Sequence, residues 1–205
     1  ATLIVGVGCT PSQSCFCHRM DADEAPAGYD LFLQDLGDRF WVSISSVAAA
    51  EVLEESTTLR EATDEDRAAF AAATRRRNEA FSSDIPFVQD VAMLMDTYHS
   101  DPFWAELGSR CLNCTACASV CPTCMCFDEL AFDGKTGERV REWDCCTNPQ
   151  FATVAGGHNF RPSERERVRH RMYHKLNGFK EKHGSMLCVG CGRCVDACKT
   201  SINPI

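Results

Sequence analysis

The sequence predicts an α+β chain: short strands at its start, capped helices in its middle and a cysteine-rich second half. Three observations predict it. The runs Thr2–Val7 and YDLFLQDLGDRFWVSIS (29–45) are rich in the β-branched and aromatic residues that strands favour. Thr63 and Ser163 each precede acidic residues at helix-start spacing. The 15 cysteines among 205 residues are clustered, with none between Cys17 and Cys111. An apolar share of 44% excludes a mainly disordered chain. No apolar stretch is long enough for a membrane span. The first residues lack the basic and apolar regions of a signal peptide. A net charge of -8 argues against nucleic acid as the main partner. The odd cysteine count argues against a fully paired disulfide framework.

Taken in order, Thr2–Val7 reads as a buried strand ending at Gly8. Its VGVG lacks the rest of a dinucleotide-binding loop. Two short strands should flank the turn Leu36-Gly37-Asp38, and Ser46–Glu55 should be a short helix. Thr63 should cap a helix from about Asp64 to Phe81, its acidic 64–66 triplet solvated. Pro86 can open a helix to about Tyr98. Asp101-Pro102 should start a short helix that Gly108 ends and that delivers the chain to Cys111. The hexapeptide 133–138, DGKTGE, reads as a turn between two short strands, and Gly156-Gly157-His158 as a loop. Ser163 with Glu166 forms a capping box for a basic helix of about 164–182, ending near Gly184. Three segments are expected: a partial α/β domain (1–60), a helical linker (61–108) and a cysteine-rich domain (109–205) with an insert at 127–183.

The chemistry lies in two runs. Residues 111–122 read CLNCTACASVCP, and residues 188–198 read CVGCGRCVDAC. Both have the C-x2-C-x2-C-x3-C spacing of bacterial ferredoxins. Three closely spaced thiolates hold one corner of a cuboidal iron–sulfur cluster, and the fourth is carried away toward the other cluster. This assigns Cys111, Cys114, Cys117 and Cys198 to one [4Fe–4S] cluster, and Cys121, Cys188, Cys191 and Cys194 to the second. The first run ends in Pro122, as the spacing rule asks, whereas the second has Lys199 there. The fold class is thus a ferredoxin-like module for two [4Fe–4S] clusters, opened by a long helical insert. The alternatives are zinc, which favours separated C-x2-C pairs, and disulfides, which need an oxidising compartment.

Seven cysteines remain. Cys9, Cys15 and Cys17 are candidates for three ligands of a third iron–sulfur cluster, with Cys124, Cys126 and Cys146 as further candidates. In an extended C-x-C pair both thiols can face one metal. The alternative is that they are buried free thiols. His158 reads as a loop hydrogen-bonder rather than a ligand. Charge is divided too: residues 1–110 hold 8 basic and 19 acidic groups (8 − 19 = −11), residues 111–205 hold 13 and 10 (13 − 10 = +3). Thiolate-ligated clusters are anionic, so this basic half would offset them; alternatively it reflects only the Arg-rich helix. That helix is expected to pack beside clusters or to dock an acidic partner; a nucleic-acid role lacks any reading module.

Several stretches resemble one family: GVGCTPSQSCFCHRM, GYDLFLQDLGDRFWV, CLNCTACASVCPTCMCFDEL, REWDCC, FATVAGGHNFRP, RERVRHRMYHK and CVGCGRCVDAC. They look like the iron–sulfur subunit that sulfhydrogenase-type NiFe hydrogenases, where it is the beta subunit, share with anaerobic sulfite reductases. Family members are longer at the N-terminus, so a chain that starts without Met and within a strand is expected to lack its natural start. Cys145 departs from the family's usual residue, which makes Cys146 the better candidate for a family role.

The resemblance implies an electron-transfer subunit rather than a catalytic one. It would relay single electrons between a flavin-containing subunit that exchanges them with a nicotinamide cofactor and a catalytic partner. That partner would be a NiFe hydrogenase or a sulfite reductase, in the cytoplasm of an anaerobe. Two alternatives stay open. One is a subunit whose third, substrate-accessible cluster takes part in catalysis; the other is a structural zinc-binding module.

Overall fold

The computed structural model describes residues 2–82, 90–131, 137 and 139–203. The chain divides into two units: Ala1–Cys15 with Asp21–Asp84, and Phe16–Met20 with Ile85–Ile205.

The first unit is built on a three-stranded sheet. Its strands β1 (Val5–Val7), β2 (Leu31–Asp35) and β3 (Phe40–Ile44) lie in that order, β1 parallel and β3 antiparallel to β2. The hairpin around Gly37 is where the sequence placed it, with Gly37 at φ +109°. The expected buried strand at 2–7 is corrected: β1 is an edge strand, and Val5 and Val7 are exposed. Helix α1 (Val47–Leu53) starts at Ser46, whose hydroxyl accepts from the Ala49 N–H at 3.1 Å.

Helix α2 (Asp64–Glu79) carries the expected Thr63 cap. The reading of its acidic start as solvated is corrected at Asp66, which is buried. Asp66 completes the capping box with Thr63 and ion-pairs with Arg39 at 2.9 Å and Arg60 at 2.6 Å. The helix lies against β3 through Trp41 and Phe70, ring centroids 4.9 Å apart.

In the second unit the core is Met95, Trp104, Met172 and Leu176. It is supplied by helices α3 (Val91–Thr97), α4 (Phe103–Ser109) and α6 (Glu164–Tyr173) and by the turn His174–Gly178 that follows α6, which gives Leu176. Asp90 caps α3, accepting from the Met93 N–H at 3.0 Å; the helix start expected at Pro86 lies outside the described residues. Asp101 accepts from the Phe103 N–H at 2.8 Å and so starts α4 as expected. Gly108, expected to end α4, sits inside it instead. A Cβ there would lie 2.6 Å from the Arg165 backbone nitrogen, so this glycine lets α4 and α6 touch backbone to backbone.

The basic helix keeps its Ser163–Glu166 capping box and ends at Gly184 in the left-handed region. It is not continuous, however. Between α6 and α7 (Phe179–His183) runs a π-turn, His174–Gly178. The insertion of a wider turn brings three successive side chains inward, Lys175, Leu176 and Asn177, all buried. Strands β4 (Phe127–Ala131) and β5 (Arg139–Trp143) form an antiparallel hairpin, as read from the sequence. Most of its expected 133–138 turn lies outside the described residues. Two short helices, α5 (Ala116–Ser119) and α8 (Arg193–Ala197), belong to the two cysteine runs and pack together. Among the described residues no helix is long and apolar enough to cross a membrane.

Candidate iron–sulfur site

The two runs have the same local fold, and backbone conformation explains it. In each, the residues just before and after the second cysteine have left-handed backbone. They are Asn113 (φ 52°) and Thr115 (φ 60°) in one, Gly190 (φ 64°) and Gly192 (φ 71°) in the other. Each left-handed residue reverses the local curl, so the run wraps round a space instead of starting a helix at once. Glycine does this without strain; Asn113 and Thr115 each do so at a cost of roughly 1–2 kcal/mol. The third cysteine of each run then falls in the first turn of α5 or α8.

The result is one cavity lined by Cys111, Cys114, Cys117, Cys121, Cys188, Cys191, Cys194 and Cys198. These are the eight cysteines of the two runs. None of the other seven lines it. Val168, Met172 and Leu176 form an apolar wall, and Arg171 and Lys175 bring positive charge to it.

Two cross-ties join the runs. Arg110, just before the first run, donates to the carbonyls of Thr200 at 2.8 Å and Ser201 at 3.0 Å, just after the second. Thr123, just after the first run, donates to the carbonyl of Leu187, just before the second, at 2.6 Å. The head of each run is thereby held to the tail of the other. Burial pushes the Cys111 thiol up, and Cys114 and Cys198 add to the push. Burial pushes Cys188 up to about 11, with Cys194 and Cys121 adding to it. Two thiols are held down instead. Cys121 is lowered to about 3, chiefly by a hydrogen bond from Cys124 and also by Thr123. Cys198 is lowered against the opposing effect of burial by hydrogen bonds from Thr200 and the Ile202 N–H. The two lowered thiols are the fourth cysteines of the two runs.

The donor set fits iron–sulfur clusters. Eight soft sulfur donors surround one space, into which the helical stretch 164–178 brings both apolar side chains and two cations. Among the described residues no three His, Cys, Asp or Glu side chains converge as one metal ion would require. A cuboidal cluster takes its thiolates at separate corners, so its ligands stand apart round a cage.

The remaining cysteines lie elsewhere. Cys9 is exposed and Cys15 half-buried in the first unit, where the Ser12 N–H donates to the Cys15 sulfur at 3.3 Å. Cys17 opens a short 3-10 turn (Cys17–Arg19) in the second unit. Cys145 and Cys146 are buried beyond the end of β5. The neighbours Cys126 and Cys145, together with burial, push the Cys146 thiol up, while Cys126 is lowered to about 6 and Cys145 to about 5. Cys124 lies 3.5 Å from an Arg171 guanidinium nitrogen. His158 sits in the expected loop, its ring edge-on to Phe160.

Three features escaped the sequence reading. Phe16, the middle residue of CFC, is buried at 1% exposure and lines the cavity. Its N–H donates to the Gly190 carbonyl at 2.8 Å, strapping 16–20 over the second run. Only the Phe between two cysteines hinted at it. The second is the π-turn in the basic helix, His174–Gly178, which brings Lys175 and Leu176 to the cavity wall, although packing of this helix beside the clusters was itself expected. The third is the threonine two residues beyond each fourth cysteine. The Thr123 and Thr200 hydroxyls both lie 3.5 Å from their cysteine sulfurs, a repeated C-x-T that the sequence shows plainly.

Comparison with known proteins agrees with this geometry. Residues 110–202 match the family described as the 4Fe-4S dicluster domain. Over 205 aligned residues the chain is 37% identical to Sulfhydrogenase 2 subunit beta of Pyrococcus furiosus, covering 98% of this chain and 60% of that protein. The chain therefore spans about 60% of the length of this relative. No solved structure matches the chain.

Proposed function

We propose, from the similarity to Sulfhydrogenase 2 subunit beta and from the cavity, that the chain is an electron-transfer subunit carrying two [4Fe–4S] clusters. Cys111, Cys114, Cys117 and Cys198 hold one cluster; Cys121, Cys188, Cys191 and Cys194 hold the other. The observation that carries this reading is the single cavity lined by these eight cysteines and by no other. The two cross-ties support the exchange of the fourth ligand between the runs.

When bound, the clusters supply reversible one-electron storage. The residues of this chain do the rest. Phe16 and the aliphatic wall keep water away, and Arg171 and Lys175 offset the anionic charge of thiolate-ligated clusters. No substrate bond is made or broken here. The partners are a flavin-containing subunit that exchanges electrons with a nicotinamide cofactor, and a NiFe hydrogenase or sulfite reductase as the catalytic subunit.

Iron and sulfide analysis with electron paramagnetic resonance of the reduced protein tests the reading. About eight irons per chain and two interacting [4Fe–4S] signals are expected, four irons per cluster. About twelve irons would add the third cluster considered for Cys9, Cys15 and Cys17. A zinc-loaded, resonance-silent protein would overturn the reading in favour of a structural zinc module.

A further inference from the structure

Three cations of the basic helix are buried: Arg167 at 3%, Arg171 at 6% and Lys175 at 7% exposure. They are not equivalent. Arg167 stands beside the first run, donating to the Asn113 side-chain oxygen at 3.3 Å, but its charge is neutralised locally. It pairs with Glu164 at 2.7 Å and donates to the carbonyls of Arg161 at 3.1 Å and Pro162 at 2.7 Å. Arg171 and Lys175 have no carboxylate partner among the described residues. A buried cation without a counter-charge is costly, so these two side chains await an anion in the cavity they line.

Their positions differ. Arg171 lines the shared cavity and donates to the Cys117 carbonyl of the first ligand set at 2.8 Å, with Cys124, which belongs to neither set, at 3.5 Å. Lys175 is tied to one side at both ends. Its ammonium donates to the Thr123 hydroxyl oxygen at 3.0 Å, and that oxygen lies 3.5 Å from the Cys121 sulfur. Its carbonyl accepts the N–H groups of Leu187 and Cys188, each at 3.1 Å. The π-turn aims both groups there. The matching place beside the other ligand set is Thr200, next to Cys198. No cation reaches that hydroxyl among the described residues: Arg110 passes to the backbone carbonyls, and both it and Lys199, which lines the cavity beside Cys198, are exposed to water. A buried charge acts through a low dielectric, whereas an exposed one is screened.

We propose that Lys175 makes the cluster site of Cys121, Cys188, Cys191 and Cys194 the more easily reduced of the two, which gives electron flow through the chain a direction. This rests on the two-cluster reading above. Positive charge beside a cluster favours its reduced, more anionic state. One electron leaves the Cys111 site, which is oxidised, and enters the Cys121 site, which is reduced; no bond is made and no proton moves. Lys175 is a positioning residue in this scheme, since it reaches Cys121 through Thr123.

The test is a potentiometric titration of the protein followed by electron paramagnetic resonance, on wild type, Lys175→Gln, Lys175→Met and Lys175→Arg. Iron and sulfide are measured on each sample. In either neutral variant the first one-electron step should fall by at least about tenfold in reduction equilibrium, about 59 mV for one electron. The second step should move less, so the two draw together, and Lys175→Arg should restore their separation. Loaded neutral variants in which both steps stay put, or move equally, would overturn the role of Lys175. A wild-type protein without iron would instead overturn the two-cluster reading itself, so the two failures are distinguishable.

Discussion

The hydroxyl of Thr123 donates to the carbonyl of Leu187 at 2.6 Å and accepts from the Lys175 ammonium at 3.0 Å. One small side chain thus joins the tail of the first cysteine run, the head of the second and the helix between them. Thr123→Val keeps the shape and removes both bonds, leaving a buried carbonyl and a buried ammonium short of partners. Each such loss costs roughly 1–3 kcal/mol. The variant should lose its visible cluster absorption to an iron chelator several-fold faster than wild type. Equal bleaching rates would show that the tie does not hold the site.

The proposed exchange of fourth ligands makes an unusual genetic prediction. Cys198 is 87 positions from Cys111 (198 − 111) yet should share a cluster with it. Cys111→Ala and Cys198→Ala should therefore abolish the same resonance signal, and Cys121→Ala and Cys188→Ala the other. Pairing by run, with Cys111 and Cys121 variants alike, would refute the exchange. Cys9→Ala should leave both signals in place.

The legible parts of this chain were those coded by short-range chemistry. Ligand spacing is local, and all eight cysteines read from it line the cavity. Caps are local too, so Thr63, Asp101 and Ser163 were found where their side chains bond the backbone. What stayed hidden depends on distant partners. Asp66 looked like one of three solvated acids, because Arg39 and Arg60 meet it only in the fold. Gly108 looked like a helix stop, because its neighbour Arg165 is 57 positions away (165 − 108). The π-turn carries no residue signal of its own: a pattern of period 3.6 continues straight through it. The left-handed Asn113 and Thr115 were invisible for a similar reason, since the run wraps its cavity at a strain that only the finished site repays.

Asp66 sets a pH dependence in the first unit. Hydrogen bonds from Arg60 above all, then from the Thr63 backbone and hydroxyl, hold its carboxyl well below the usual carboxylate range. A carboxyl lowered in the folded state stabilises at pH values above its unfolded pKa of about 3.9, and that contribution is lost as pH falls toward the folded value. Wild type should therefore lose melting temperature faster than Asp66→Asn on going from pH 5 to pH 3. At pH 7 Asp66→Asn should melt lower, because Arg39 and Arg60 lose their counter-charge. Parallel melting curves across that range would remove Asp66 from the account.

Gly190 is where the second cysteine run meets the strap over its cavity. Its φ of +64° suits glycine, and a Cβ there would lie 2.7 Å from the Cys17 nitrogen and Cα. Those atoms are backbone, so no side-chain rotation relieves the clash. Gly190→Ala must lift the strap, distort the run, or both. Left-handed backbone and overpacking each cost on the order of 1–3 kcal/mol. Lifting the strap would withdraw Phe16, which lines the cavity and is almost fully buried. The variant should still take up iron during reconstitution but lose it in air several-fold faster. Phe16→Ala opens the same wall without touching the run, so it should reproduce the oxygen sensitivity while leaving the resonance line shapes unchanged. If Phe16→Ala is as durable as wild type, the strap is packing for the loop and not a shield for the site.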